Sequence, residues 1–550
     1  MHETQPGHLR RWGAVIGSSA LLSGLVVGTG GAAHAAGDAT APATTTPVVG
    51  TEWGDDQADK AALKLGKHVD SLDPGSLFTL THAVGARTAW TQKDAAGRAV
   101  TGQGVTVAVL DSGVQAVPGL DQPGQLVRGP DLSLEVNSEE RLADDTFGHG
   151  THMAGIIGGS DPVAVDPKTG APKATDPSVQ LGVAPDAQLL ALKLATTDGS
   201  TDVSQVIAAL DWVAQHRTDN GMNVRVVNLS FGTEAIQPYQ VDPLAAAAEH
   251  AWRNGLVVVV SGGNDGEDAG SLSNPAIDPY VIAVGASDPN GLTSGWVSPS
   301  VADFSSRGTA ARHVDLVAPG RSVVSFRAPG SSVDLEHPEG LVEGDTTGRL
   351  FRGSGTSQAA AVVSGAAALV LQANPSLTPD QVKDVLVRTA RPLSGEPVVD
   401  AGAGQLNVAA AVEAAKKVVV DAKHPAVTQR WAPATGLGSL DLARGGSHLA
   451  NPETGEVLVG EVDVLGTPWN PATWTQASAS ATAWDGGLWM RARWSGDTWT
   501  STGWARARWS DTAWSRARWS DASWDRARWS RARWSDASWE RARWSSIPWT

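Results

Sequence analysis

Ser357 lies within GSGTSQAAAVVSG (353–365), where a glycine-rich turn opens onto an alanine-rich apolar run. That pattern predicts a hydroxyl at a helix N-terminus, where unpaired backbone N–H groups and the positive end of the helix dipole suit an oxyanion developing beside the serine. The same pattern also serves plain packing, so it gains meaning only from its company. GVTVAVLDSGV (104–114) is a β-branched apolar run ending in Asp111 and a Ser-Gly turn, as expected of a buried parallel strand that delivers a carboxylate at its carboxyl end. FGHGTHMAG (147–155) sets His149 between two glycines at the head of a short apolar stretch. A strand-end Asp also caps turns, and His149 with His152 at i, i+3 has the spacing of a metal pair, although no third ligand stands at suitable distance. Taken together, the three motifs supply an acid, a base and a hydroxyl. A serine hydroxyl is a weak nucleophile at neutral pH, and a neutral imidazole oriented by a carboxylate would take its proton as it attacks a carbonyl.

Further stretches accompany these three: LGVAPDAQLLALK (181–193), NLSFG (228–232), SGGN ending at Asn264, and NPAIDPYVIAVGASD (274–288). In this order, over roughly residues 80–417, the chain resembles the subtilisin-like serine peptidases, whose triad also runs Asp, His, Ser. Ser357 is not in a GxSxG pentapeptide, which argues against the other common hydrolase fold. The resemblance implies Asp111, His149 and Ser357 as triad and the Asn264 amide as oxyanion donor. It implies that an extended peptide pairs along Ser230, Phe231 and Gly232, while Ser261, Gly262 and Gly263 wall the pocket for the residue before the cut. Where the family commonly has two alanines this chain reads SGG, which leaves the pocket's preference open. Gln358 replaces the Met that often follows the nucleophile, and Ala361 replaces a common Pro. The chemistry needs no cofactor; structural calcium is common among relatives, but no ligand cluster is assignable here.

The elements that must position these residues are legible as rhythm. Apolar runs at 105–110, 189–195, 224–230, 256–260 and 281–285 alternate with helical patterns such as DVSQVIAALDWVAQHR and DPLAAAAEHAWRN. This predicts an α/β fold, a doubly wound and mostly parallel sheet with helices on both faces, and it brings Asp111 and Asn264 to the carboxyl edge where such sheets bind ligands. Thr378, Pro379, Asp380 and Gln381 form a capping box, and 402–417 reads as a closing helix. Loops at 159–180 and 326–350 are long enough to be surface insertions or to rim the cleft.

The ends of the chain point outside the cell. Arg10, Arg11, an apolar run from Ala14 to Val27 and AHA at 33–35 read as a cleaved signal peptide over 1–35, with a twin-arginine route permitted, and no other stretch approaches a membrane span. Residues 36–79 read as a short leader and 80–417 as the catalytic domain. With no cysteine, an exported fold has no disulfides and relies on its core. A net charge of −16 favours solubility and argues against nucleic acid as a partner.

Residues 418–468 read as an exposed connector. In 469–550 Trp recurs at every fifth position from Trp484 to Trp549, with Trp469 and Trp474 in phase, in units such as RARWS and DASWD. Five matches neither the helix nor the strand period, so the tail reads as disordered, or as a surface that attaches to cell-wall polymer through stacking and cation–π contacts. The expected function is a secreted serine endopeptidase acting on proteins or peptides. The alternative is an idle extracellular or cell-wall binding protein on a peptidase scaffold.

Overall fold

Runs of five to seven residues rich in Val, Leu and Ala bury both faces, and residues with that pattern form the centre of a parallel sheet. In the computed structural model, which describes residues 73–490 except 136–143, 174, 290–298, 420–426 and 451–456, and the backbone of 492–493, these runs become β1 (Thr106–Asp111), β3 (Gln188–Lys193), β4 (Val224–Leu229), β5 (Val257–Ser261) and β6 (Ile282–Asp288). The order is β2-β3-β1-β4-β5-β6-β7, with β2 (Leu126–Asp131) at one edge, β7 (Ser300–Val301) antiparallel at the other, and β8 (Leu316–Pro319) parallel alongside β6. A separate hairpin joins β9 (Val323–Phe326) to β10 (Leu350–Gly353). The fold is the expected α/β architecture. The edge strand β2 was not foreseen, because LVRGPD has no alternating or continuous apolar pattern.

Helices cover the sheet. α1 (Leu77–Ala83) is capped by Ser76, and α2 (His149–Gly158) and α3 (Val203–His216) follow β2 and β3. α4 (Pro243–Arg253) follows β4, and α5 (Thr356–Ala373) has every residue buried. α5 is long and apolar enough to span a membrane by composition, yet it is the central core helix. Gly365 lets it lie close to its neighbours, since a Cβ there would sit 2.6 Å from Val183 Cβ. α6 (Pro379–Arg388) carries the capping box at Thr378, and α7 (Val408–Ala415) closes the domain.

Two boundaries differ from expectation. Residues 73–79, assigned above to the leader, are part of the fold: Leu77 and Phe78 are buried, and Asp73 pairs with Arg352 on β10. The described residues of the stretch read as a connector include a shell packed on α3 and α4. Arg444 is fully buried, donates to Asp202 at 2.7 Å, and lies 3.3 Å from Asp441. Ala434 N donates to Glu249 at 2.6 Å, and Val464 N donates to Ser204 at 2.9 Å.

The first Trp repeats follow the same logic. α8 (Pro471–Ala479) and the strands Trp484–Asp485 and Leu488–Trp489 bury Trp474, Trp484 and Trp489. Trp474 and Trp489 both donate their indole N–H to Asp211 on α3 at 2.9 Å, Ser478 donates to the same carboxylate, and Trp484 donates to the Ala208 carbonyl at 2.9 Å. Trp484 and Trp489 face each other across a two-residue turn. Spacing of five is thus the spacing of a hairpin's outer pair, which a single-helix or single-strand test does not detect. The signal peptide, leader residues 36–72 and the repeats from Trp494 onward lie outside the described residues.

Removing one partner of a buried ion pair leaves an uncompensated charge. Arg444→Met is therefore expected to destabilise the protein by about 3–5 kcal/mol in thermal or denaturant unfolding. Arg388→Met, which breaks the solvent-exposed pair with Asp384, is expected to cost under about 1 kcal/mol.

Candidate active site

β1 delivers Asp111 as its last residue, in register with Lys193 at the end of β3. Lys193 Nζ is buried and donates to the carbonyls of Ser112 at 3.2 Å and Asp144 at 2.8 Å, so it fastens both loops that flank the site. The returning chain begins α2 at His149. A Cβ on Gly150 would fall 2.0 Å from the Gly113 carbonyl oxygen and 3.1 Å from Asp111 Cβ, so only glycine lets the helix start approach the strand end this closely. Gly148, at φ +108°, turns the chain into the helix.

Asp145 clamps that turn. One carboxylate oxygen accepts from Gly148 N at 2.6 Å and Ser112 Oγ at 2.7 Å, and the other accepts from Thr151 N at 2.7 Å. Ser112 Oγ in turn accepts from Gly150 N at 3.0 Å. Asp145 and Ser112 thereby satisfy helix N–H groups that lack intrahelical partners.

His149 and Asp111 are both fully buried and joined: Nδ1 lies 2.8 Å and 3.0 Å from the two carboxylate oxygens. A carboxylate only accepts, so Nδ1 carries the proton and the neutral ring keeps Nε2 as its basic nitrogen. Burial would lower the imidazole pKa, but the Asp111 charge, its hydrogen bond and the Asp145 charge outweigh that, and the net shift is upward. His152 behaves oppositely. Burial, with the nearby His149 adding to it, pushes it down to about 3, and its Nε2 faces the Phe351 carbonyl at 3.2 Å. It is a neutral histidine facing backbone, and among the described residues no group of three or more His, Cys, Asp or Glu is placed to hold a metal ion.

Ser357 is the second residue of α5 and is fully buried. The residue before it is held by Asn264, whose Oδ1 accepts from Thr356 N at 2.8 Å and Thr356 Oγ1 at 2.9 Å. Because both partners donate, the amide oxygen faces Thr356. Ser230 Oγ donates to the Ser357 carbonyl at 3.4 Å and accepts from Asn228 Nδ2 at 3.1 Å, while Ser364 on α5 donates to Asn228 Oδ1 at 2.9 Å. This chain of bonds ties β4 to α5.

Ser261, Gly262 and Gly263 close β5 beside Ser230, Phe231 and Gly232. Ser273, not singled out from the sequence, stands between the two segments: its Oγ donates to the Ser261 carbonyl at 3.4 Å, and Cβ atoms on Gly232 and Gly263 would lie 2.6 and 3.4 Å from it. Gln358 is fully buried next to Ser357, and neither amide atom has a partner among the described residues.

The model of the subtilase family matches residues 102–408. The chain belongs to the subtilase family. This subtilase is 35% identical over 317 residues to Serine protease AprX of Bacillus subtilis (strain 168), a match that covers 56% of this chain and 66%, just under two thirds, of AprX. It is 36% identical over 314 residues to Subtilisin Savinase of Lederbergia lenta, covering 57% of this chain and 93% of that protein. A crystal structure of a cold adapted subtilisin-like serine proteinase is similar at 30% identity over 56% of this chain and 88% of that one, with a TM-score of 0.39. By family, the protein is a subtilisin-like serine peptidase.

The electrostatic account is testable without substrate. In NMR titration the His149 ring protons are expected to titrate above the ordinary 6.5, and Asp145→Asn is expected to move the midpoint lower, since one of the charges that raise it is gone. An unchanged midpoint in a folded Asp145→Asn protein would remove Asp145 from the account.

Proposed function

We propose that this subtilase is a secreted endopeptidase that cleaves peptide bonds through an acyl-enzyme. The observations that support the reading are the buried His149–Asp111 pair at 2.8 Å at the carboxyl end of β1, and Ser357 buried in the first turn of α5. His149 in its neutral form takes the Ser357 proton as the hydroxyl attacks the carbonyl, then returns it to the leaving amine. Asp111 holds the tautomer and stabilises the imidazolium without being protonated. The NH2 of Asn264 and the backbone N–H of Ser357 receive the oxyanion. The substrate's residues before the cut pair with Ser230–Gly232, and the side chain next to the cut enters between that segment and Ser261–Gly263. Main-chain pairing of this kind gives affinity with little sequence preference. Secretion is supported by the pattern of Arg10, Arg11 and the apolar run to Val27. A cell-wall or surface partner would engage the Trp/Arg repeats beyond residue 493.

Labelling by a fluorophosphonate tests the reading. The wild-type chain, freed of its leader, is expected to be tagged at Ser357, with labelling lost in Ser357→Ala and His149→Ala. Asn264→Ala is expected to fold and bind peptide but to lose roughly 10²–10³ in kcat, the range known for this donor in the family. A folded protein that takes no label would favour the idle binding scaffold.

The residue after the nucleophile gives a second test. With Gln358 where a sulfoxide-forming Met is common, activity is expected to survive mild peroxide. Loss of activity without oxidation elsewhere in the chain would contradict this.

A further inference from the structure

We infer that the hairpin β9–β10, with the chain at its tip (327–349), is a positioning element that sets where His149 stands relative to Ser357. The inference deepens the peptidase reading proposed above and rests on it for the roles of these two residues. On the side of the hydroxyl, β10 ends at Gly353 and the chain runs straight on into α5, so Ser357 stands four residues beyond the strand. That connection is tied back to the start of β9. Gly355 N donates to the Gly320 carbonyl at 2.8 Å, and Ser322 N donates to Ser354 Oγ at 2.8 Å.

On the side of the base, the same hairpin lies against α2. Ser325 Oγ donates to the His152 carbonyl at 2.8 Å, and the Phe351 carbonyl faces His152 Nε2 at 3.2 Å. Cβ atoms on Gly155 and Gly159 would lie 2.6 and 2.7 Å from the Phe326 ring, so glycine at both places lets helix and hairpin meet this closely. One element is therefore packed on the helix that begins at His149 and continuous with the helix that carries Ser357.

The tip of the hairpin grips the turn that leads into His149. Ser332 N and Val333 N, at the start of a short helix (Ser332–Glu336), donate to the Thr146 and Phe147 carbonyls at 2.9 and 3.0 Å. Val333 is buried with Phe351, and Phe147 packs against the two. A Cβ on Gly148 would fall 2.5 Å from Ser331 Oγ, so the residue before His149 is pressed against the tip. Asp334 keeps the tip in shape, accepting from Arg327 Nε at 2.5 Å, Arg327 Nη2 at 3.0 Å and Gly330 N at 2.8 Å. The turn is thus held by Asp145 and Ser112 from within and by the tip from outside. Proton transfer needs the base within hydrogen-bond reach of the hydroxyl, so a small displacement of His149 costs rate without costing substrate affinity.

The test compares Val333→Ala, which withdraws the tip's apolar contact with the turn, with Leu335→Ala at an exposed position of the same short helix. Val333→Ala is expected to lower kcat for a peptide p-nitroanilide and the rate of fluorophosphonate labelling about tenfold, with KM within about twofold. Val333→Ile is expected to keep both rates within about twofold of wild type, and Leu335→Ala to leave them unchanged. The His149 ring is faced by Asp111 and Asp145, whose charges raise its midpoint, and by neutral His152 one turn on. In NMR titration that midpoint is expected to move lower in Val333→Ala, as the ring's hold on Asp111 loosens. An unchanged kcat in the folded Val333→Ala protein would overturn the inference, as would a rise in KM alone, which would make the tip a rim of the cleft. If Val333→Ala does not fold, Arg327→Gln, at a partly exposed ion pair, decides: kcat about threefold lower at constant KM supports the inference, and unchanged kcat overturns it. A wild-type protein that neither takes label nor cleaves peptide would mark failure of the peptidase reading, and an unchanged His149 midpoint in Val333→Ala would then separately overturn the placing of His149 by the tip.

Discussion

A carboxylate and an imidazole held together out of water at the end of a strand are the constraint around which this structure is arranged. Isolated, either group would be costly to bury; paired and hydrogen-bonded, the charge is tolerated. Asp111 obtains that tolerance from His149 Nδ1 and from Ser112 N at 2.8 Å. Each of those donors is itself fixed: Ser112 by Asp145, and His149 by a helix start that glycine alone lets approach. The orientation of the ring is thus set by several buried bonds whose partners have nowhere else to go.

Ser357, the proposed nucleophile, is held by the same means. Two strand ends contribute, since β4 brings Ser230 and Asn228, β5 brings Asn264, and both are bonded to the first turn or the middle of α5. The parallel sheet requires no charged group of its own for this. Its Val-rich strands fix where the chain must turn, and the polar residues at the turns determine what faces the cleft.

The motif residues were legible because each is local: Asp111, His149 and Ser357 stand beside glycines whose spacing alone implies a tight turn or a helix start. The capping box at Thr378 was legible for the same reason. Asp145 and Lys193 were not, because their roles depend on loops that meet only in the folded chain. Ser273 likewise becomes relevant only through the approach of Gly232 and Gly263. Arg444 looked like one more charge in a polar stretch; its partner Asp202 is far away in sequence, and no local pattern reports such a pair. The Trp spacing misled by being tested against one element at a time. Trp469, Trp474, Trp484 and Trp489 occupy a loop, a helix and two strands, and a shared carboxylate on α3 gathers two of the four indoles.

The buried Asp111 carboxylate sets both the tautomer and the basicity of His149. The most direct measurement is the pH dependence of kcat/KM for a small peptide substrate in the wild type and in Asp111→Asn. The base must be neutral, so the wild-type rate should rise with pH through a midpoint above 6.5, following the upward shift of His149. The variant should lose about 10⁴ in kcat, the scale seen when a triad carboxylate is made neutral, and its midpoint should move down. A variant that keeps near-wild-type turnover, or whose midpoint stays where it was, would contradict the claim.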